Sequence, residues 1–389
     1  MVEATMAEQR VQEWIGVVQR RGEGLTTADL HALFSPSMVE HWPSLGDADR
    51  FRSTAASSRF ATCDVESMDP VDEHRVVVRL RRDGLELWCH VAVEPHPPHR
   101  ISSVRDTLED GVSLSAMNVA ISRELHRRWS TSRVFDDWLA ERIGGRFVAE
   151  AVQRTLNGSR TARPIMPLAR FRLAEERLDE AVRRGCRQYL ILGAGMDTWA
   201  HRQAEFAAER LVTVFEVDAP ATQRFKRRRL VEAGMGEPDH VAFVGADFET
   251  DSLADRLDEA GFDPRAPTVV AWLGVVYYLT EPAIAVTLSY VGALAPGSEL
   301  ILDYFRPPAT WDVGMRNGAI LAATNDEPWQ STFTDEALDS LLKEHGLIVT
   351  SRLTAADALS RYPTDDDALT LNDATVAVVA TVQSASSRA

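Results

Sequence analysis

The sequence predicts an α/β protein, a doubly wound and mostly parallel sheet with a small α+β module in front of it. Three observations predict it. Short apolar runs at 189–192, 211–217, 241–244, 268–273 and 298–304 alternate with helix-length segments. That is the pattern of strands buried on both faces and joined by crossover helices. The first run stops at Gly193-Ala-Gly195, and glycine there admits a tight turn and a close backbone approach by a ligand. Ahead of residue 113 the period changes. In 85–93 every odd position is apolar and polar residues predominate opposite, the signature of a half-buried antiparallel strand.

Length and composition bound the reading. The chain has 389 residues, enough for two domains, and 45% hydrophobic residues supply a core. A net charge of −16 argues against a general nucleic-acid or anionic-membrane surface. Cys63, Cys89 and Cys186 are scattered, with no Cys-x-x-Cys. They suit a reducing cytoplasm and argue against a zinc site or a disulfide scaffold. No signal-like segment opens the chain and no apolar run nears membrane length, so a soluble, cytoplasmic protein is expected.

The first module is expected over 1–112. Residues 6–22 place Val11, Trp14, Ile15 and Val18 on one helical face. Thr26 or Thr27 caps a second helix through Leu30 and Leu33. Strands follow at 74–80, 85–93 and 101–104. His90, His96 and His99 suggest a metal, but no carboxylate or cysteine stands at ligand spacing, so none is expected.

Residues 113–155 read as helical, including 115–120 and 135–140. Asp136 and Asp137 then serve as favourable charges at a helix start. Residues 157–167 are loop-rich. A helix opens with Ala169-Arg-Phe-Arg172 and runs to about Arg184. After the glycine turn, Thr198 can cap the next helix, whose free N–H groups favour a ligand. The second strand ends in Glu216-Val-Asp218, roughly 20 residues after the glycines, where an acid can accept from ribose hydroxyls. The third glycine of the dinucleotide fingerprint is missing near Trp199, and no Gly-Lys-Ser/Thr follows. A nucleoside without a pyrophosphate fits better. The run Lys226-Arg-Arg-Arg229 reads as a solvated face. The strands at 347–353 and 374–382 close the sheet, and the Ser/Ala-rich tail after Gln383 reads as disordered.

Gly193-Ala-Gly-Met-Asp-Thr198, then Phe215-Glu-Val-Asp-Ala-Pro220, then Gln223 and Lys226 resemble the leucine carboxyl methyltransferase family. The likeness is greatest to its bacterial branch, including polyketide carboxyl methyltransferases, and spans about 113–385. It implies a class I, Rossmann-like methyltransferase sheet over 113–389, with a helical lid over 113–168 and S-adenosylmethionine as cofactor. It also implies cofactor contacts at Gly193, Ala194, Gly195, Glu216 and Asp218. By the same match Arg170 holds the cofactor carboxylate, Asp247 takes the adenine amino group and Phe248 covers the ring. Many relatives have a glutamate where this chain has Leu273, accepting the cofactor's ammonium. A backbone carbonyl of 271–274 is the available substitute. The last two strands form an antiparallel edge in the family. The helix-then-strand order of 1–112 resembles the nuclear-transport-factor-2-like cone, which implies a small-molecule shelter or a homodimer interface.

Methyl transfer to a small-molecule carboxylate needs no general base, because the acceptor is already ionised near pH 7. A phenol or alcohol acceptor would need one, and His201 is a weak candidate. The acceptor pocket is expected between the lid and the excursion after the fifth strand. Tyr277, Tyr278, Tyr304, Arg306 and Trp329 are its candidate residues, with Arg306 placed for an anion. Methylation at hydroxyl, nitrogen or carbon stays open, as does a non-methylating scaffold. No catalytic residue is assigned.

Overall fold

The computed structural model describes residues 4–21, 25–40, 63–82, 85–108, 112–157, 162–324 and 327–383. Sequence readings on the tail after Gln383 lie outside the described residues. The chain divides into two compact units. One comprises Met1–Leu114 with Asp312–Trp329, and the other comprises Ser115–Trp311 with Gln330–Ala389.

In the first unit, helices Met6–Arg21 and Thr27–Leu33 precede a five-stranded antiparallel sheet. Thr26 caps the second helix in a capping box with Asp29. The strands are β1 Asp64–Asp72, β2 Arg75–Arg82, β3 Leu85–Val93, β4 Ile101–Leu108 and β5 Val112–Ser113, in sequential order. Alternation sends Val76, Val78 and Leu80 of β2 and Cys89, Val91 and Val93 of β3 into one core. Trp14 and Phe34 meet there edge to face, 5.2 Å apart. The sequence pattern missed β1. Its residues are mostly exposed and it carries Pro70, so it is a polar edge strand with no apolar period. The excursion after the fifth strand of the second unit belongs to this first unit. Its helix Val313–Thr324 places Ile320, 0% exposed, in the same core.

The second unit is built on a seven-stranded sheet in the order β12-β14-β11-β10-β7-β8-β9. These are β7 Gln188–Leu192, β8 Thr213–Asp218, β9 Val241–Gly245, β10 Thr268–Trp272, β11 Glu299–Phe305, β12 Leu347–Leu353 and β14 Thr375–Val382, while β6 Arg163–Pro164 and β13 Leu369–Thr370 form a separate parallel pair. Strands β7 to β11 pair in parallel, while β14 runs antiparallel to both β11 and β12. This is the doubly wound sheet with an antiparallel edge. Each central strand is buried on both faces. Tyr189 and Ile191 join the core under helix Met166–Arg183, and Leu190 and Leu192 join the core on the other face. Each such side chain contributes about 1.5–3 kcal/mol of burial.

Two local readings are corrected. Leu211 does not begin the second strand. It ends helix Ala204–Arg210 in the left-handed region (φ 54°) and is 77% exposed. Residues 135–139 are not helical either, because the helix begins at Ala140. Asp137 therefore does not sit in a first turn. It is fully buried and pairs with Arg123 at 3.0 Å.

Candidate functional site

Parallel strands deliver their carboxyl ends to one edge of the sheet, and there the chain turns on glycine. Gly193 and Gly195 take φ values of 71° and 45°, which side chains disfavour. A Cβ on Gly193 would lie 2.2 Å from Val275, so the turns after β7 and β10 touch. The N–H groups of Gly193 and Ala194 donate to the Val217 carbonyl at 2.8 and 2.9 Å. The Gly195 N–H donates to Asp218 at 2.6 Å, and the Ala219 N–H donates to its other oxygen at 2.7 Å. Burial raises the Asp218 pKa, and these backbone donors oppose the rise. The Thr222 hydroxyl is a third donor to this carboxylate, whose two oxygens still keep acceptor capacity between them.

The helix after the turn is capped by Asp197 rather than Thr198. Asp197 accepts from the Trp199 N–H at 2.7 Å, while the Thr198 hydroxyl accepts from Arg202. Glu216 lies two residues before Asp218 but is fully buried, 2.5 Å from the Lys226 ammonium. Burial pushes its pKa up to about 7, against the pull of Lys226. Its other oxygen has no hydrogen-bond partner among the described residues. Lys226 is 1% exposed, which corrects the reading of 226–229 as a wholly solvated face. A helix that must cover β8 turns one position of each turn inward, and Glu216 waits there.

At the end of β9, Asp247 is exposed and Phe248 packs partly into the second core. Glu249 accepts from both the N–H and the hydroxyl of Thr280, at 2.9 and 2.8 Å, tying this loop to the segment after β10.

Arg170 stands on helix Met166–Arg183 and is 3% exposed. Its Nη1 donates to Asp303 at 2.6 Å and to the Tyr277 hydroxyl at 3.4 Å. Burial disfavours the charged guanidinium, but Asp303 and Tyr277 outweigh it and hold its pKa above the ordinary value. Its Nε is buried without a hydrogen-bond partner among the described residues. Gly274, at φ 78°, makes room for it: a Cβ there would lie 2.7 Å from Nη2. Leu273 is buried beside this turn. Tyr277 stacks on Phe305 with ring centres 3.7 Å apart and lies 4.8 Å from the Tyr278 ring. Burial raises the Tyr277 phenol well above its usual value.

The other acceptor candidates have partners of their own. Arg306 donates two 2.8 Å hydrogen bonds to Asp335, and the Tyr304 hydroxyl donates to the same carboxylate at 2.6 Å. These donors hold Asp335 down to about 2. Trp329 belongs to the first unit, beside Gly318. His201 donates from Nε2 to the Gly236 carbonyl at 3.3 Å, and burial with Lys226 depresses its pKa to about 4. Among the described residues no group of His, Cys, Asp and Glu could hold a metal ion.

Two residues near these turns escaped the sequence reading. Arg123 donates to the Met196 carbonyl at 2.6 Å, linking helix Leu114–Trp129 to the glycine turn. Asp303, fully buried, links Arg170 to the Gly274 N–H. Both carried a signal: each is a charge on a buried stripe, Arg123 with Met117 and Ala120, and Asp303 inside the apolar run of β11.

A profile of the leucine carboxyl methyltransferase family matches residues 116–292. YktD of Bacillus subtilis, which carries the name of an S-adenosyl-L-methionine-dependent methyltransferase, is 31% identical over 274 residues, covering 63% of this chain and 89% of YktD. The chain belongs to the leucine carboxyl methyltransferase family. It is accordingly an S-adenosylmethionine-dependent methyltransferase. A protein of Frankia alni with a similar name is 34% identical over 220 residues, covering 53% of this chain and 73% of its own. A methyltransferase structure from Thermobifida fusca aligns with a TM-score of 0.42 and 16% identity, covering 69% of this chain and 94% of its own.

The residues at the carboxyl edge fit the cofactor's three parts. Asp218 keeps acceptor capacity for a ribose hydroxyl, and Asp247 with Phe248 offers an acceptor beside an apolar face. Arg170 has one edge of its fork on Asp303 and an unused Nε on the other, the donor set a carboxylate takes.

Proposed function

We propose that this methyltransferase acts on a carboxylate oxygen of a small organic acid. One observation supports the reading most. Near the turns after β7 and β10, the phenol and the imidazole that a general base would use are held in states that make poor bases near pH 7. The Tyr277 phenol is pushed above its ordinary pKa, and His201 is pulled down to about 4 and bonded to a carbonyl. An acceptor that arrives ionised suits such a site.

In this reading Arg170 holds the cofactor's carboxylate, Asp218 the ribose, and Asp247 with Phe248 the adenine. Gly193, Ala194 and Gly195 give the backbone its close approach. When bound, the cofactor supplies the activated methyl group; the chain supplies alignment. Buried Tyr277 and Phe305 stack beside Arg170 and exclude water there. Tyr277 and Tyr278 are the acceptor-side residues adjoining Arg170. Arg306 and Tyr304 serve the acceptor only if Asp335 shares them.

The test is turnover of methyl-labelled cofactor with panels of carboxylic acids, phenols and amines. The expected product is a methyl ester whose label mild base releases, formed at a rate nearly flat from about pH 6 to 8. A base-stable product, or a rate rising about tenfold per pH unit, overturns the reading.

A further inference from the structure

Asp303 is a complete carboxylate buried at the end of a central strand, and it makes two contacts of different kinds. Its Oδ2 accepts from Arg170, and its Oδ1 accepts from the Gly274 N–H at 2.6 Å. The second contact fixes more than a nitrogen. The Leu273–Gly274 peptide is trans, since the only cis bond among the described residues is Pro97–Pro98. In a planar trans peptide the C=O points opposite to the N–H. Strand β11, which carries Asp303, lies on one side of β10, and β7 lies on the other. With its N–H drawn toward β11, this peptide presents the Leu273 carbonyl toward the β7 side. The glycine turn is there, close enough that Gly193 could not carry a side chain beside Val275.

The geometry points to Asp303 as a positioning residue that organises both halves of a receptor for the cofactor's amino-acid zwitterion. It fixes Arg170 for the carboxylate and aims the Leu273 carbonyl at the ammonium. The position itself offers only the leucine side chain, so the acceptor is supplied by main chain and the order by a neighbouring strand. This rests on the proposed role of Arg170. Asp303 is 0% exposed and needs no contact of its own with the ligand. Its effect passes through Arg170 and the peptide.

Calorimetry with four ligands tests this on the full chain. They are S-adenosylhomocysteine, its decarboxylated and deaminated thioethers, and 5′-methylthioadenosine, which lacks the amino-acid part. Arg170→Gln is expected to weaken S-adenosylhomocysteine at least about tenfold and to leave the decarboxylated thioether unchanged. If it changes neither ligand, or both equally, the Arg170 reading fails, whatever Asp303 does. Asp303→Asn keeps an oxygen for Gly274 and removes the charge facing Arg170. It is expected to erase the preference for the carboxylate and to keep the preference for the ammonium. Asp303→Ala is expected to erase both, with 5′-methylthioadenosine binding as before. Equal weakening of all four ligands by Asp303→Ala, or retention of both preferences, overturns the inference. Should that variant not fold, Arg170→Met with Asp303→Ala removes both charges. It must then lose the ammonium preference, and its retention overturns the inference equally.

Discussion

The turns after β7 and β10 lie against each other and are specified in opposite ways. The turn after β7 is held by main chain: two glycines at positive φ and three N–H groups donating to Val217 and Asp218, all from a stretch of about 30 residues. The turn after β10 is held by side chains from distant segments. Arg170 and Asp303 are separated by 133 positions, and Asp303 reaches back to Gly274 across 29. A site can thus draw one wall from a local motif and the other from tertiary packing. Only the first kind repeats from sequence to sequence in readable form.

The sharpest way to break the β7–β8 side is through its buried pair. Lys226→Met leaves Glu216 in the core without its cation, and a loss of about 3–5 kcal/mol is expected in denaturant unfolding at pH 8. The sign with pH follows from Glu216. Its folded pKa, about 7, lies above the ordinary glutamate value of 4.5. The group therefore contributes its full stability below about pH 4.5, and that contribution is lost as pH rises through about 7. The Lys226→Met loss should be smaller at pH 5 than at pH 8, because keeping the unpaired buried carboxyl protonated costs more as pH rises. A loss independent of pH would mean that the carboxylate finds another partner.

Gly193→Ala comes next. It sets a methyl group against Val275 in a backbone region that alanine avoids, and about 2–3 kcal/mol of stability should go. Gly185, also at positive φ but with open space around it, is the control and should lose less on the same change. Equal losses would show that backbone strain alone, not the contact with the β10 turn, sets the cost.

Asp218→Ala is expected to weaken S-adenosylhomocysteine by about 1–3 kcal/mol, read by calorimetry. The smallest effect belongs to Arg306→Ala. Its pair with Asp335 is partly exposed, so about 0.5–1 kcal/mol of stability is at stake. Cofactor affinity should not move. A large rise in acceptor KM with that variant would show Arg306 acting on the acceptor.

The fold was legible where burial imposes a period. Strands β7, β10, β11 and β14 stand within a residue or so of their apolar runs, because each is buried on both faces, and the partly buried edge strands β9 and β12 kept enough apolar residues to be read as well. The glycine turn and the acid at the end of β8 were legible for the same local reason. Edge strand β1 was not, since its exposed residues carry no period. The roles of Asp303 and Arg123 were not, since both depend on which segments meet in space. The length of the apolar run could not show that Ile320 of the excursion completes the core of the first unit.

That last feature bears on the order in which the chain is made. Synthesis runs from the amino terminus, and domains tend to fold as they emerge. The first unit's helices and strands appear first, yet their core lacks Ile320 until that residue leaves the ribosome. By then β7 to β11 have all been synthesised. For the time it takes to translate some two hundred residues the first unit's core lacks that one helix, and the second unit is completed later still, when β12 and β14 are made.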